Sequence, residues 1–250
     1  MLRPSTIAFR RCFSNRARPS DAYSFAASPS SSSAPSSSSS SAETTETAEE
    51  ATTSTPSLSY TDRQTLQRAI RIDHAGELAA NYIYAGQMSA LSPSSHAQAT
   101  SAAEDVRVKE LVQEMWEQEK RHLSVFERVA RQHDVQHTKL EPVVRTVAYS
   151  LGWITAKMGK ESAMACTEAV ETVIGEHYND QLRELSPASF PNDHPSIPLL
   201  KQVIAEFRDD ELEHLDVAVE NDAQKAPAHA LLSAFIAGGC RAAIKAVEKM

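Results

Sequence analysis

An all-α fold, a four-helix bundle with two additional apolar helical segments, is the architecture this sequence predicts, and three observations predict it. From Leu58 onward apolar residues recur at three- and four-residue spacing with few β-branched alternations, and the 250-residue chain contains only seven glycines. Breaks carrying Ser and Pro fall where long helices should stop. A Glu-x-x-His pair also occurs twice, Glu119 with His122 and Glu211 with His214, each time on a stretch patterned as a helix.

The elements follow in order. Residues 1–20 hold Arg3, Arg10, Arg11, Arg16 and Arg18, no acid, and hydroxyl residues between Leu2, Ile7, Phe9 and Phe13, the composition of a mitochondrial transit peptide. Residues 30–41 are Ser apart from Ala34 and Pro35, and a Thr/Glu-rich stretch runs on to Ser57. So little apolar surface cannot offset chain entropy, so residues 1–57 read as transit peptide and disordered linker that add nothing to the fold. Residues 58–250 form the folded domain. A first helix is expected over 61–90, ending at Ser92-Pro93-Ser94, and a second over 101–132, with Val108, Leu111, Val112, Met115, Trp116, Leu123 and Phe126 as its apolar stripe. A less polar stretch, 143–158, leads into a third long helix through Leu185. A Pro-rich loop covers 186–198, a fourth helix 199–221, and Pro227 opens a last one towards Lys249.

Residues 1–57 carry five Arg and five acids, so the net charge of −8 belongs to the folded domain, which is unsuited to nucleic acid. The three cysteines, Cys12, Cys166 and Cys240, make no Cys-x-x-Cys pair and imply no disulfide framework.

Residues three apart on a helix share a face, so each Glu-x-x-His pair can offer a carboxylate and an imidazole to one point. Asp210, four before His214, lies within helical reach of that imidazole as an outer support, and its counterpart in the earlier copy is Gln118, a poor ligand. Two such pairs leave two metals under-coordinated, which calls for bridging carboxylates from other helices. Glu77 and Glu171 offer them inside a repeated frame: Glu77, Tyr84 and Gln87 match Glu171, Tyr178 and Gln181 as Glu-x6-Tyr-x2-Gln. Glu119 follows Glu77 by 42 residues and Glu211 follows Glu171 by 40. The chain thus reads as two helix-pair halves, each giving one Glu and then one Glu-x-x-His. Packed antiparallel, they would point four carboxylates and two imidazoles into one core, the ligand inventory of ferritin-like di-iron and di-manganese bundles. Without a cation, burying these groups would cost many kcal/mol. Carboxylate and imidazole donors suit iron or manganese, and the lack of thiolate argues against structural zinc. His177 and Tyr178 are further candidate outer supports, and His74 a possible ligand or support.

The runs Asp73-His74-Ala75-Gly76-Glu77, Ile83-Tyr84-Ala85-Gly86-Gln87-Met88, Gln118-Glu119-Lys120, Gly159-Lys160-Glu161-Ser162-Ala163-Met164-Ala165-Cys166-Thr167 and Glu211-Leu212-Glu213-His214 closely resemble the mitochondrial 5-demethoxyubiquinone hydroxylases of coenzyme Q biosynthesis. The resemblance covers roughly residues 66–250, and Glu176 stands where some relatives have another His. It implies a di-iron monooxygenase that uses dioxygen to hydroxylate a polyprenylated benzoquinol on the matrix face of the inner membrane. It implies Glu77, Glu119, His122, Glu171, Glu211 and His214 as iron ligands, the six positions already marked by the duplication. It also implies NADH as electron source and a lipid-binding partner protein in the ubiquinone biosynthesis complex. The chain has no Gly-x-Gly-x-x-Gly, so either a nicotinamide would bind without a Rossmann domain or the electrons would come from a separate reductase.

The longest uncharged stretch, 226–240, has 15 residues, short of the roughly 20 that span a bilayer. With Trp153 and Tyr149 in the 143–156 stretch, an in-plane peripheral membrane contact is expected. Two other functions fit parts of the pattern: a ferritin-like iron-binding or iron-buffering protein without hydroxylase activity, and a metal-free lipid-binding helical adaptor.

Overall fold

The computed structural model describes residues 18–24, 58–91, 99–186, 194 and 196–250, the side chains of 24 and 99–105 excepted. Most of the stretch read as transit peptide and linker, the Ser92-Pro93-Ser94 break and most of the Pro-rich loop lie outside the described residues. Among those described there are α-helices, one 3-10 turn and no strand. The helices are α1 (Asp21–Ser24), α2 (Tyr60–Ala90), α3 (Ala99–Gln132), α4 (Glu141–Lys157), α5 (Lys160–Glu184), α6 (Ser196–Glu220) and α7 (His229–Glu248).

Local chemistry sets the ends. Ser59 caps α2, its Oγ accepting from the Asp62 amide at 3.1 Å. Pro142 occupies the first turn of α4, where its missing N–H costs nothing. The less polar stretch and the third long helix of the sequence reading are α4 and α5: Gly159 adopts φ 123°, a conformation open to glycine, and turns the chain between them.

Cross-helix contacts establish the bundle. Trp116 Nε1 donates to Asn81 Oδ1 at 3.2 Å and Gln67 Nε2 to the His133 carbonyl at 3.3 Å, so α2 and α3 run antiparallel. Arg208 to Asn179 (3.2 Å) and Lys160 to Asp222 (3.3 Å) do the same for α5 and α6. Gln87 to the Ala163 carbonyl (3.1 Å) and Arg68 to Glu184 (2.6 Å) pair α2 with α5. Arg121 to Glu206 (2.8 Å) pairs α3 with α6. The core has two main layers. One holds Ile70, Phe126, Val129, Leu185, Leu200, Ile204 and Phe207, and the other Tyr84, Val112, Met115, Met164, Val217 and Ala218. In each bundle helix the polar residues singled out above fall between these layers in sequence.

The two additional apolar helices, α4 and α7, pack on the outside. A Cβ at Gly86 would lie 2.1 Å from the Tyr149 carbonyl oxygen, and one at Gly152 1.9 Å from that of Ile83, so the backbones of α2 and α4 touch through this pair. Gly152→Ala is therefore expected to lower the melting temperature by about 5–10 °C, because an overpacking cost of about 1–3 kcal/mol cannot be relieved by a side-chain rotation. Gly238→Ala, where a Cβ meets nothing within 4 Å, should cause no loss in the same melts.

Val143, Val147, Trp153 and Ile154 on α4 and Leu231 and Phe235 on α7 are exposed. At 20 residues α7 is long and apolar enough to cross a membrane, longer than the uncharged run considered above because Arg241 and Lys245 lie within it. It is tied along α5 by His229–Glu168 at 2.6 Å and Arg241–Glu176 at 2.8 Å. Glu176, the departure noted in the sequence, thus serves a surface ion pair.

Residues 18–24 fall inside the stretch expected to add nothing to the fold, yet they dock on α3 and α6. Tyr23 and Ser20 are buried there, and Ser20 donates from its amide (3.0 Å) and hydroxyl (2.8 Å) to Glu206.

Candidate metal centre

The bundle brings six residues from four helices together. Glu77 comes from α2, Glu119 and His122 from α3, Glu171 from α5, and Glu211 and His214 from α6; each is at most 2 % exposed. Their donor atoms form two groups, Glu77, Glu119, His122 and Glu211 in one and Glu119, Glu171, Glu211 and His214 in the other, with the atoms of each group within 4.8 Å of one another. Glu119 and Glu211 belong to both groups. Glu77 and Glu171, which the sequence reading offered as bridges, each belong to one group. Spacing along one helix could not reveal this, since it depends on how far each helix stands from the bundle axis.

Both imidazoles turn Nδ1 inward. His122 Nδ1 lies 3.1 Å from Glu211 Oε1, and His214 Nδ1 lies 3.1 Å from Glu211 Oε2 and 3.2 Å from Glu119 Oε1. The outward nitrogens are held across the bundle. His122 Nε2 meets Asp210 Oδ2 at 3.1 Å, and His214 Nε2 meets Gln118 Oε1 at 2.8 Å. Asp210 supports the imidazole of the other half, not its helical neighbour His214, and Gln118 occupies the matching place. Phe207 stacks on His122 at 3.9 Å and fixes its ring plane.

The two tyrosines of the repeated frame also cross over. Tyr84 OH donates to Glu171 Oε1 at 2.8 Å, and Tyr178 OH donates to Glu77 Oε1. His177 lies on the outer side, its Nε2 3.3 Å from Asp73 Oδ1, which also accepts from Gln181 at 2.9 Å. His74 is buried but stacks on His137 at 3.8 Å and belongs to neither donor group. Sequence reasoning passed over Gln118 as a poor ligand and left Tyr84 without a role. The duplicated frame carried the signal for both, since each is the counterpart of a residue singled out in the other half.

The electrostatics ask for a cation. Burial raises the carboxyl pKa values of Glu77, Glu119 and Glu171, Glu119 to about 8, and the nearby Glu211 charge adds to the rise in each. Burial opposes the charged imidazoles, but the carboxylates beside them, Asp210, Glu211 and Glu77 at His122 and Glu119 and Glu211 at His214, raise both well above the usual range. Burial likewise opposes Glu211, yet the two imidazoles hold it ionised. The cluster thus stands on protons. Even so, Glu77 Oε2, both Glu119 oxygens, Glu171 Oε2, Glu211 Oε1 and His122 Nδ1 are buried without a hydrogen-bond partner. Such orphaned atoms are rare in native structures. Two divalent cations would balance four carboxylates and give each atom a partner, so the donor set fits a dinuclear metal centre.

Beside the cluster, an apolar cavity of about 100 Å³ lies between α2, α4, α5 and α7. Ile72, Ala79, Ile83, Val170, Ile174 and Ile244 wall it, and Tyr178, His177 and Gly76 reach its edge.

Comparison with known proteins gives a consistent result. The family described as ubiquinone biosynthesis protein COQ7 matches residues 64–247. The chain is 46% identical over 189 residues to the NADPH-dependent 3-demethoxyubiquinone 3-hydroxylase, mitochondrial, of Caenorhabditis elegans, covering 75% of this chain and 92% of the relative. It is 42% identical over 194 residues to the human protein of the same name, covering 78% and 82%. It is 39% identical over 201 residues to the 5-demethoxyubiquinone hydroxylase, mitochondrial, of Saccharomyces cerevisiae, again covering 78% and 82%.

Proposed function

The chain belongs to the family of ubiquinone biosynthesis protein COQ7, and from that membership and the buried cluster we infer that it is a monooxygenase hydroxylating a demethoxyubiquinol ring in ubiquinone biosynthesis. The observation that carries this reading is the six-residue donor set with its orphaned inward atoms.

In this reading Glu77, Glu119, His122, Glu171, Glu211 and His214 would hold two iron ions, Glu119 and Glu211 being common to both donor groups. Bound iron supplies activation of dioxygen, one atom of which enters the ring while the other leaves as water, using two electrons from a reductant. The protein's own groups set the geometry. Tyr84 and Tyr178 each take one oxygen of Glu171 and Glu77 and leave the other, unpartnered Oε2 facing inward. Asp210 and Gln118 fix which imidazole nitrogen faces the metals. The aliphatic walls of the cavity exclude water and receive the quinol ring against Tyr178, with the polyprenyl tail leaving between α2, α4 and α7. The exposed apolar residues of α4 and α7 then rest in the matrix face of the mitochondrial inner membrane and offer a surface to a lipid-binding partner protein. The electrons come from a nicotinamide. The resemblance implies NADH, whereas the names of the animal relatives specify NADPH.

The test is anaerobic reduction of the iron-loaded chain, then oxygen with a short-tailed demethoxyquinol. A product heavier by one oxygen atom is expected. Tight iron binding with no such product would instead support iron buffering, and absence of iron binding a metal-free lipid adaptor. The cavity gives a second test. A Cβ at Gly76 meets nothing within 4 Å, so Gly76→Leu should fold normally while its side chain fills the quinol space. KM is expected to rise at least about tenfold, the factor for about 1.4 kcal/mol of lost contact, with iron content unchanged. Unchanged KM would remove the ring from this cavity.

A further inference from the structure

The two halves of the cluster match in their inward atoms and differ in what stands behind the imidazoles. Behind His214 is the neutral carboxamide of Gln118. Behind His122 is the Asp210 carboxylate, and the same oxygen, Oδ2, accepts from Arg18 Nη1 at 3.0 Å. Arg18 belongs to no bundle helix. It stands at the head of the short docked segment that ends in α1, and that docking is built rather than incidental. The Arg18 amide donates to Asp21 Oδ2 at 2.8 Å, and Ser20, fully buried, gives two hydrogen bonds to Glu206. Arg121 clamps Glu206 at 2.8 Å and also reaches Ser20 Oγ. Arg128 donates to the Tyr23 carbonyl, and the Tyr23 ring is 6% exposed.

We propose that Arg18 is a positioning residue for the metal site, acting through Asp210 on His122, so that the metal position beside His122 depends on residues 18–24 and the one beside His214 does not. The inference rests on reading the cluster as a dinuclear metal centre. Asp210 reaches from α6 to an imidazole on α3 and sits at the edge of the bundle, its side chain 10% exposed. A carboxylate there holds the ring and strengthens Nδ1 as a donor only while it points at Nε2. Arg18 occupies its open side, where water would otherwise compete. The guanidinium charge also repels a metal ion, but its side chain is 43% exposed and screened by solvent, so orientation is the larger effect.

The experiment titrates manganese(II) into the metal-free full-length chain, following stepwise binding by calorimetry and the bound ion by electron paramagnetic resonance. Two binding steps are expected for the unaltered chain. Arg18→Ala should weaken one step by about tenfold, the low end for outer partners of metal ligands, and leave the other unchanged. Tyr23→Ala, which undocks the segment without touching Asp210, should weaken the same step, and Arg18→Lys should restore most of the affinity. Gln118→Leu should weaken the other step, which assigns the two. Asp210→Asn should act on the Arg18 step, and adding Arg18→Ala to it should change nothing further, the signature of residues acting in series. The proposal is overturned if Arg18→Ala keeps both affinities, weakens both steps alike, or adds its full effect to Asp210→Asn. Failure of the unaltered chain to bind manganese would instead overturn the dinuclear reading itself.

Discussion

Glu211→Gln is expected to empty both metal positions and abolish turnover, while Glu213→Gln, two residues away, leaves both intact. Glu211 is the residue with one oxygen on each imidazole, 3.1 Å from His122 Nδ1 and 3.1 Å from His214 Nδ1, and it belongs to both donor groups. An amide cannot replace it, because one oxygen becomes an N–H₂ that donates into the space where a cation belongs and the bridging charge is gone. The loss should exceed the roughly 10–100-fold that follows removal of an outer partner. Glu213 is exposed on the far side of the same helix. Glu171→Ala should fall between them, with iron below two per chain and activity lost, because Glu171 belongs to one group alone. Metal per chain by elemental analysis, alongside turnover, checks all three. Two metals per chain in Glu211→Gln, or their loss in Glu213→Gln, would mean that the α6 register is not the one that builds the site.

A second large effect is expected in the pH dependence of stability without metal. Glu119 has its pKa raised from 4.5 to about 8, mainly by burial, and Glu77 and Glu171 are raised too. A carboxyl with a raised folded pKa contributes stability that is full below its unfolded pKa and lost as pH rises through the folded one. The raised imidazoles of His122 and His214 act in the same direction above pH 6.5. Glu211, lowered by those imidazoles, adds stability above pH 4.5 and changes little in this window. The metal-free chain should therefore lose stability between about pH 5 and pH 8. Each pKa unit is about 1.4 kcal/mol. At about 2–4 °C per kcal/mol, the melting temperature should fall by about 10 °C or more. The metal-loaded chain has no protons left to lose from these groups, so its curve should stay flat and the gap between the two should widen with pH. Below pH 5 the gap should close as protons displace the metal. Melting curves at stepped pH, with and without manganese, test this, and parallel curves would contradict it.

The six residues of the cluster could be picked out from the sequence because each clue is local. Glu119 and His122 share a helix face whatever surrounds them, and the same holds for Glu211 and His214. The Glu-x6-Tyr-x2-Gln frame likewise needs only a helix of ordinary pitch. What escaped the sequence is set between helices. Spacing offered Asp210 to His214, one turn away, but packing of α3 on α6 hands it to His122. Gln118 looked inert beside acidic neighbours, and it became the partner of His214 only through that same packing. The docking of residues 18–24 was invisible for another reason. Arg18, Ser20 and Tyr23 sit in a stretch whose average composition reads as presequence, and three anchoring side chains do not alter an average.

The crossing of the tyrosines reaches further than the site. Tyr84 is encoded with the first helix pair and steadies Glu171 of the second, while Tyr178 does the reverse for Glu77. The imidazoles are braced across the same divide. Neither pair supplies a complete donor group, so neither is an autonomous module. A single pair could satisfy these contacts only against a second copy of itself, as a two-fold symmetric dimer. Joined in one chain, the two copies can change separately, and at 118 and 210 they differ. Damage in either pair is therefore felt in trans: a lesion at Tyr84 should disturb the donor group of His214, and one at Tyr178 the donor group of His122.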